Sequence, residues 1–145
     1  MNKNYREKVH KINCLTNDLN ALYHRAALKF GLSDSEMFIL YMIIDKKDCC
    51  LLHDICFESG ISKQTVNSAV RKLEGKGFIY LEKYKGKNKQ VFLTKKGKDY
   101  CENTVVRLFK AECAAFEEWN EEETKYYIDL MEKYNKSFKK QIDIL

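Results

Sequence analysis

A mainly α-helical fold with one small β-hairpin is what this 145-residue chain predicts, on three observations. The chain contains no proline and 6 glycines, so little in it interrupts a helix. Apolar residues recur at steps of three and four along most of its length. Between Ile79 and Leu93 the rhythm changes to alternation, with Ile79 and Leu81 set against Tyr80 and Glu82, and Val91 and Leu93 against Phe92. The length suits a single domain over residues 1–145, with one core and surface to spare for a partner.

The first helix is written by Tyr5, Val9, Ile12, Leu15, Leu19, Leu22, Tyr23, Ala26 and Phe30, which fall on one face, and Gly31 ends it. Ser33 and Glu36 stand at capping-box spacing and open a second helix from Asp34 to about Ile44. That helix is apolar nearly all round, so it should be the central buried element. A polar turn at Asp45-Lys46-Lys47-Asp48 precedes a short third helix, Leu52 to Ser59, with Leu52, Ile55 and Cys56 turned inward. Gly60 closes it, and Ser62 caps a fourth helix running from Lys63 to about Lys76. The fourth helix turns Val66, Ala69, Val70 and Leu73 inward and Lys63, Gln64, Thr65, Asn67, Ser68, Arg71 and Lys72 outward.

Two helices joined by a tight glycine turn, the second displaying small polar and basic groups, form a helix-turn-helix pattern. Two alternating strands follow, and Lys85-Gly86-Lys87-Asn88-Lys89 between them supplies residues that tolerate a tight reversal. A basic hairpin directly after a helix-turn-helix is a wing. A fifth helix then begins near Lys95 and carries Tyr100, Val106, Phe109, Cys113 and Phe116 on one face. Asn120 and Glu123 cap a sixth, with Tyr127, Leu130, Met131, Tyr134, Phe138 and Ile142. The expected architecture is a winged helix-turn-helix core over 33–98, flanked by long terminal helices in 1–30 and 99–145.

Net charge is +5, and its distribution says more than its size. Ser62 to Lys98 holds 11 basic and 2 acidic residues, whereas the remaining 108 hold 15 basic and 19 acidic. A quarter of the chain is therefore a cationic surface on a mildly anionic body, as contact with a polyanion requires. The longest apolar run, Met37 to Ile44, is far short of the roughly 20 residues that span a bilayer. The polar start Met1-Asn2-Lys3-Asn4-Tyr5-Arg6 lacks the features of a secretory signal, so a cytoplasmic protein with six reduced cysteines is expected. No phosphate-binding glycine loop, HExxH or nucleophile elbow occurs, so the reading is not an enzyme.

The stretch Ile61-Ser62-Lys63-Gln64-Thr65-Val66 through Leu73-Glu74-Gly75-Lys76-Gly77-Phe78-Ile79, followed by Val91-Phe92-Leu93-Thr94-Lys95-Lys96-Gly97, resembles the MarR family of bacterial winged-helix transcriptional regulators. The resemblance implies a homodimer interlocked through the first, fifth and sixth helices. It also implies a fourth helix entering the major groove, a wing at the adjacent minor groove, and DNA release on a small-molecule, metal or oxidant signal. Family wings commonly carry an aspartate and an arginine near the tip, and a further arginine where this chain has Leu81. This wing is short and offers only lysines, which favours phosphate attraction over base reading.

On that basis Gln64, Asn67 and Arg71 are assigned to base edges. Ser62, Lys63, Thr65, Ser68, Lys83, Lys85, Lys87 and Lys89 are assigned to the DNA backbone. The function expected is a sequence-specific double-stranded DNA-binding regulator, most simply a repressor, acting as a homodimer on a pseudo-palindromic operator. The alternative is a winged helix used for protein contact or RNA. Tyr23, His24, Phe38 and Tyr41 could line a pocket for a small-molecule effector, or simply be core aromatics. Cys14 loosely resembles the sensor cysteine of peroxide-sensing members, against the plainer reading of an inert thiol. Cys49, Cys50, His53 and Cys56 cluster in sequence without paired CxxC units, and no histidine follows His53, so neither metal nor cofactor is expected.

Overall fold

The computed structural model describes residues 3–145; Met1 and Asn2, and with them the start of the 1–30 segment, lie outside the described residues. The described chain forms helices α1 (Lys3–Lys29), α2 (Asp34–Asp45), α3 (Leu52–Glu58), α4 (Lys63–Gly75), α5 (Lys95–Asn103), α6 (Val105–Glu117) and α7 (Glu121–Ile142), with strands β1 (Cys49–Leu51), β2 (Ile79–Lys83) and β3 (Lys89–Leu93). It divides into two compact units, one ending at Leu108 and the other running from Phe109 to Leu145.

The first unit is built around α2. Ser33 accepts from the Glu36 amide at 3.3 Å and the Glu36 carboxylate accepts from the Ser33 amide at 2.8 Å, the capping box expected from the sequence. Met37, Ile39, Leu40, Met42 and Ile43 are buried, and α2 packs along α4 through Val66, Ala69, Val70 and Leu73, all four buried as the helical spacing required. Phe38 is the exception on α2 and stands exposed. Gly31, at φ +67°, lets α1 end in a left-handed turn in which the Leu32 amide returns to the Ala27 carbonyl at 3.0 Å.

Two expectations need correction. The hairpin is part of a three-stranded antiparallel sheet ordered β1-β3-β2, because Cys49, Cys50 and Leu51 pair with Phe92, Val91 and Gln90. Three residues are too few to show alternation, and the turn before them runs through positive φ at Lys47 and Asp48, residues that do not announce it. The expected fifth helix is also broken, at Thr104 (φ −131°, ψ −86°), into α5 and α6. Thr104 is buried, and its hydroxyl donates to the Tyr100 carbonyl at 2.7 Å. A back-bonding threonine followed by Val105 and Val106 disfavours continuous helix while leaving the apolar spacing intact.

In the second unit the end of α6 and all of α7 form a helical hairpin. Asn120 and Glu123 make the expected reciprocal cap, at 2.9 and 3.0 Å. Trp119 meets Phe116 and Tyr127 edge-on, with ring centroids 5.3 and 5.4 Å apart. No residue of α7 is buried.

Candidate nucleic-acid interface

The outward face of α4 begins at its cap. Ser62 accepts from the Thr65 amide at 3.2 Å and lies 2.8 Å from the Thr65 hydroxyl, so these two side chains are partly spent on starting the helix. Gln64, Asn67, Ser68 and Arg71 follow at intervals of three and four and share one side of the helix. Gln64, Ser68, Arg71 and Lys72 are exposed and Asn67 half-buried. The amides of Gln64 and Asn67 make no hydrogen bond among the described residues. The outer side of the helix, with Lys63, Gln64, Asn67, Ser68, Arg71 and Lys72, borders a shallow concavity of about 650 Å³.

The wing flanks α4. Strands β2 and β3 pair from Ile79 with Leu93 to Lys83 with Lys89. The reversal is closed by the Tyr84 amide on the Asn88 carbonyl at 2.8 Å, with Gly86 at φ +66°. Lys83, Lys85, Lys87 and Lys89 are all exposed. Between α3, α4 and the wing runs a groove of about 730 Å³ whose walls include Lys63, Arg71, Lys83, Lys87 and Lys89. Its floor is partly apolar, from Leu52, Val70 and Leu81. Leu81 packs against the core, which explains why this position is held by an apolar side chain here.

Charge pairing sorts the lysines of this segment into two groups. Lys76 is tied to Glu36 at 2.7 Å, Lys98 to Asp48 at 2.6 Å, and Lys96 donates to the Lys76 carbonyl at 2.7 Å. Lys63, Arg71, Lys72, Lys83, Lys85, Lys87, Lys89 and Lys95 have no carboxylate within ion-pair distance among the described residues. Every uncompensated cation in 62–98 therefore lies on α4, on the wing or at the start of α5, an arrangement whose self-repulsion a polyanion would relieve. Sequence reading did not anticipate this division, since which lysines are paired depends on contacts between Lys76 and Glu36 and between Lys98 and Asp48, far apart in sequence. It also missed the carboxylates of Glu74 and Glu82 on the groove wall.

The remaining candidates are less concentrated. Tyr23 and Tyr41 are half-buried against the core, while His24 is exposed and its Nδ1 lies 2.8 Å from Asp34 Oδ1. Cys14 is half-buried on α1, its Sγ 3.7 Å from His10 Nε2. Cys50 and Cys101 are buried, and burial pushes both thiols up to about 12, which makes them inert. Among the described residues no three His, Cys, Asp or Glu side chains are placed to hold a metal ion. Nor is any helix among them long and apolar enough to cross a membrane.

Residues 30–85 match the model of the MarR family. No curated protein matches the chain in sequence. Among solved structures, a MarR family regulator from Neisseria meningitidis superposes with TM-score 0.82 at 16% identity, covering 99% of this chain and 98% of that one. The Staphylococcus aureus MepR–DNA complex gives 0.71 at 18% identity, covering 89% and 96%. Staphylococcus aureus MarR in complex with salicylate and kanamycin gives 0.72 at 18%, covering 94% and 93%. The fold is the winged helix of MarR regulators.

Proposed function

We infer that this chain, a MarR family protein by the match over residues 30–85, is a transcriptional regulator that reads double-stranded DNA with α4 and grips its backbone with the wing. The observation that carries this reading is the uncompensated cationic surface flanking the unpartnered amides of Gln64 and Asn67. A cation without a carboxylate gains most from a phosphate, and a free carboxamide can pair with an adenine edge. Gln64, Asn67 and Arg71 read bases; Ser62, Lys63, Thr65, Ser68, Lys83, Lys85, Lys87 and Lys89 set the register on phosphates. The MepR–DNA complex supports the same use of the fold.

The working form is a homodimer on a pseudo-palindromic operator. Tyr5, Val9, Ile12, Leu15, Leu19 and Leu22 on α1 stand exposed in the single chain, as do Leu130, Met131, Tyr134, Phe138 and Ile142 on α7. Regular apolar stripes of this length cost free energy in water and are covered when two copies meet. Repression relieved by a small aromatic effector is the simplest regulation, by analogy with the salicylate complex of the S. aureus protein; Tyr23, His24, Phe38 and Tyr41 are its candidate contacts, and Cys14 a candidate oxidant sensor.

The test is a gel shift with the DNA flanking the chain's own gene, at low and moderate salt. Specific retardation that weakens steeply with salt is expected, and substitution of Asn67 or Arg71 by Ala should relax base preference by about 1–3 kcal/mol. Binding without sequence preference would overturn the reading in favour of a winged helix used for RNA or protein contact.

A further inference from the structure

The carboxyl end of α4 is held by charges in a way that its reading face is not. Glu36 is 4% exposed, and both of its oxygens are in use: Oε2 accepts from the Ser33 amide at 2.8 Å and Oε1 from Lys76 Nζ at 2.7 Å. Lys76 is the residue that ends α4, its own amide bonded to the Lys72 and Glu74 carbonyls. The Lys76 carbonyl accepts from Lys96 Nζ at 2.7 Å, and that ammonium also lies 5.2 Å from the centre of the Phe78 ring. Phe78 stacks on Tyr100 at 4.2 Å, and the Tyr100 hydroxyl donates to the Phe30 carbonyl where α1 ends. One carboxylate thus ties the last turn of α4 to the start of α2, and a continuous set of contacts carries on to α5 and to the end of α1.

We propose that Glu36 is a positioning residue for DNA reading: through Lys76 it fixes the tilt of α4, and so the aim of Gln64, Asn67 and Arg71, without touching DNA. This rests on the regulator reading above. The apolar side of α4 holds the helix against α2 but permits small rotations, because side-chain packing is only weakly directional. A charge-assisted bond to a buried carboxylate is short and directional and removes that freedom, even though the Lys76 side chain is itself partly exposed. Base reading needs side chains placed to a fraction of an ångström, whereas attraction to phosphate does not, so the tie should matter for specific binding alone.

Electrostatics and positioning predict opposite signs for one substitution, which makes the proposal testable. Glu36→Gln keeps shape and capping acceptor, and raises net charge by one. Coulomb attraction alone would tighten DNA binding; loss of positioning should weaken specific binding by about tenfold while leaving non-specific binding unchanged or slightly tighter. The probes are a duplex of the sequence that the full-length wild-type chain enriches from a random pool, and a scrambled duplex of equal length. Lys76→Met, which lowers net charge by one, should lose specific affinity by a similar factor while non-specific binding weakens only slightly, and Lys76→Arg, which still reaches Glu36, should retain specific affinity within about twofold. Melting of each variant, measured without DNA, confirms that binding is read on folded protein. Specific affinity equal or tighter in Glu36→Gln, or lost equally in Lys76→Arg and Lys76→Met, overturns the proposal. A wild-type chain that enriches no sequence overturns the regulator reading instead.

Discussion

Helices α2 and α7 handle apolar residues in opposite ways. In α2, a 12-residue helix, Met37, Ile39, Leu40, Met42 and Ile43 are inside, covered by α4 and the sheet side of the same chain. In α7, at 22 residues nearly twice as long, Leu130, Met131, Tyr134, Phe138 and Ile142 repeat at helical spacing and every one is exposed. Periodicity alone marks both as amphipathic or apolar, and does not say whether the cover comes from the same chain or another. The difference teaches that the winged-helix half covers its apolar residues within a single copy, whereas the half made of terminal helices leaves its apolar stripes uncovered in a single copy.

The sharpest way to break the winged-helix half is at Gly97. A β-carbon there would sit 1.9 Å from the Phe78 carbonyl oxygen, and that carbonyl already accepts from the Thr94 amide at 3.0 Å. The obstruction is backbone, so the wing must lift from α5. Gly97→Ala should cost about 3 kcal/mol, read as a fall in Tm that is independent of protein concentration. A variant as stable as the parent would show that the wing and α5 are not packed in this way.

The other half should answer to concentration instead. Leu19→Lys combined with Tyr134→Lys places charges on the α1 and α7 stripes, both exposed in the single chain, so the monomer fold should survive. Sedimentation should shift from dimer to monomer, and operator affinity should fall by about two orders of magnitude, since each half-site then binds alone. Unchanged sedimentation would mean that these faces are covered by something other than a second copy.

Most of the first unit, and the cap of α7 in the second, were legible in the sequence because their signals are local. The caps at Ser33, Ser62 and Asn120, the inward set Val66, Ala69, Val70 and Leu73, and the alternation through Ile79–Lys83 each follow from spacing of a few residues. What escaped depends on contacts distant in sequence or on too few residues. Strand β1 has three residues and gains its identity from β3. The break at Thr104 leaves the apolar rhythm of the fifth helix undisturbed, so period counting passes over it. Glu36 was visible as a cap but not as the partner of Lys76, and Lys76 counted in the basic excess of 62–98 although it is spent internally.

That internal pair sharpens the comparison at a smaller scale, because it belongs to the winged-helix half and titrates. Burial raises the Glu36 carboxyl, but the hydrogen bond from Lys76, those from the Ser33 amide and hydroxyl, and the Lys76 charge outweigh it, leaving the group below its ordinary 4.5. A carboxyl depressed on folding stabilises the native state fully above its unfolded value, and this contribution fades as pH falls through the lower folded one. The stability difference between the wild type and Glu36→Gln should therefore be about 1–2 kcal/mol at neutral pH and shrink steadily below pH 4.5. A difference that stays constant down to acid unfolding would mean that the carboxylate charge contributes nothing.

The smallest effect expected lies at the wing tip, where Lys87 is exposed and has no carboxylate partner among the described residues. Its loss should leave Tm unaltered, since an exposed unpaired lysine adds nothing to the core. If it neutralises one phosphate, Lys87→Gln should reduce the slope of log affinity against log salt by about 0.9 while keeping the order of preference among DNA sequences. Tyr84, Gly86 and Asn88 shape the reversal by backbone bonds that the substitution does not touch, so any change is electrostatic in origin. A slope unchanged by Lys87→Gln would move the phosphate contact off the tip and onto Lys83 and Lys89, which pair across the strands and line the same groove.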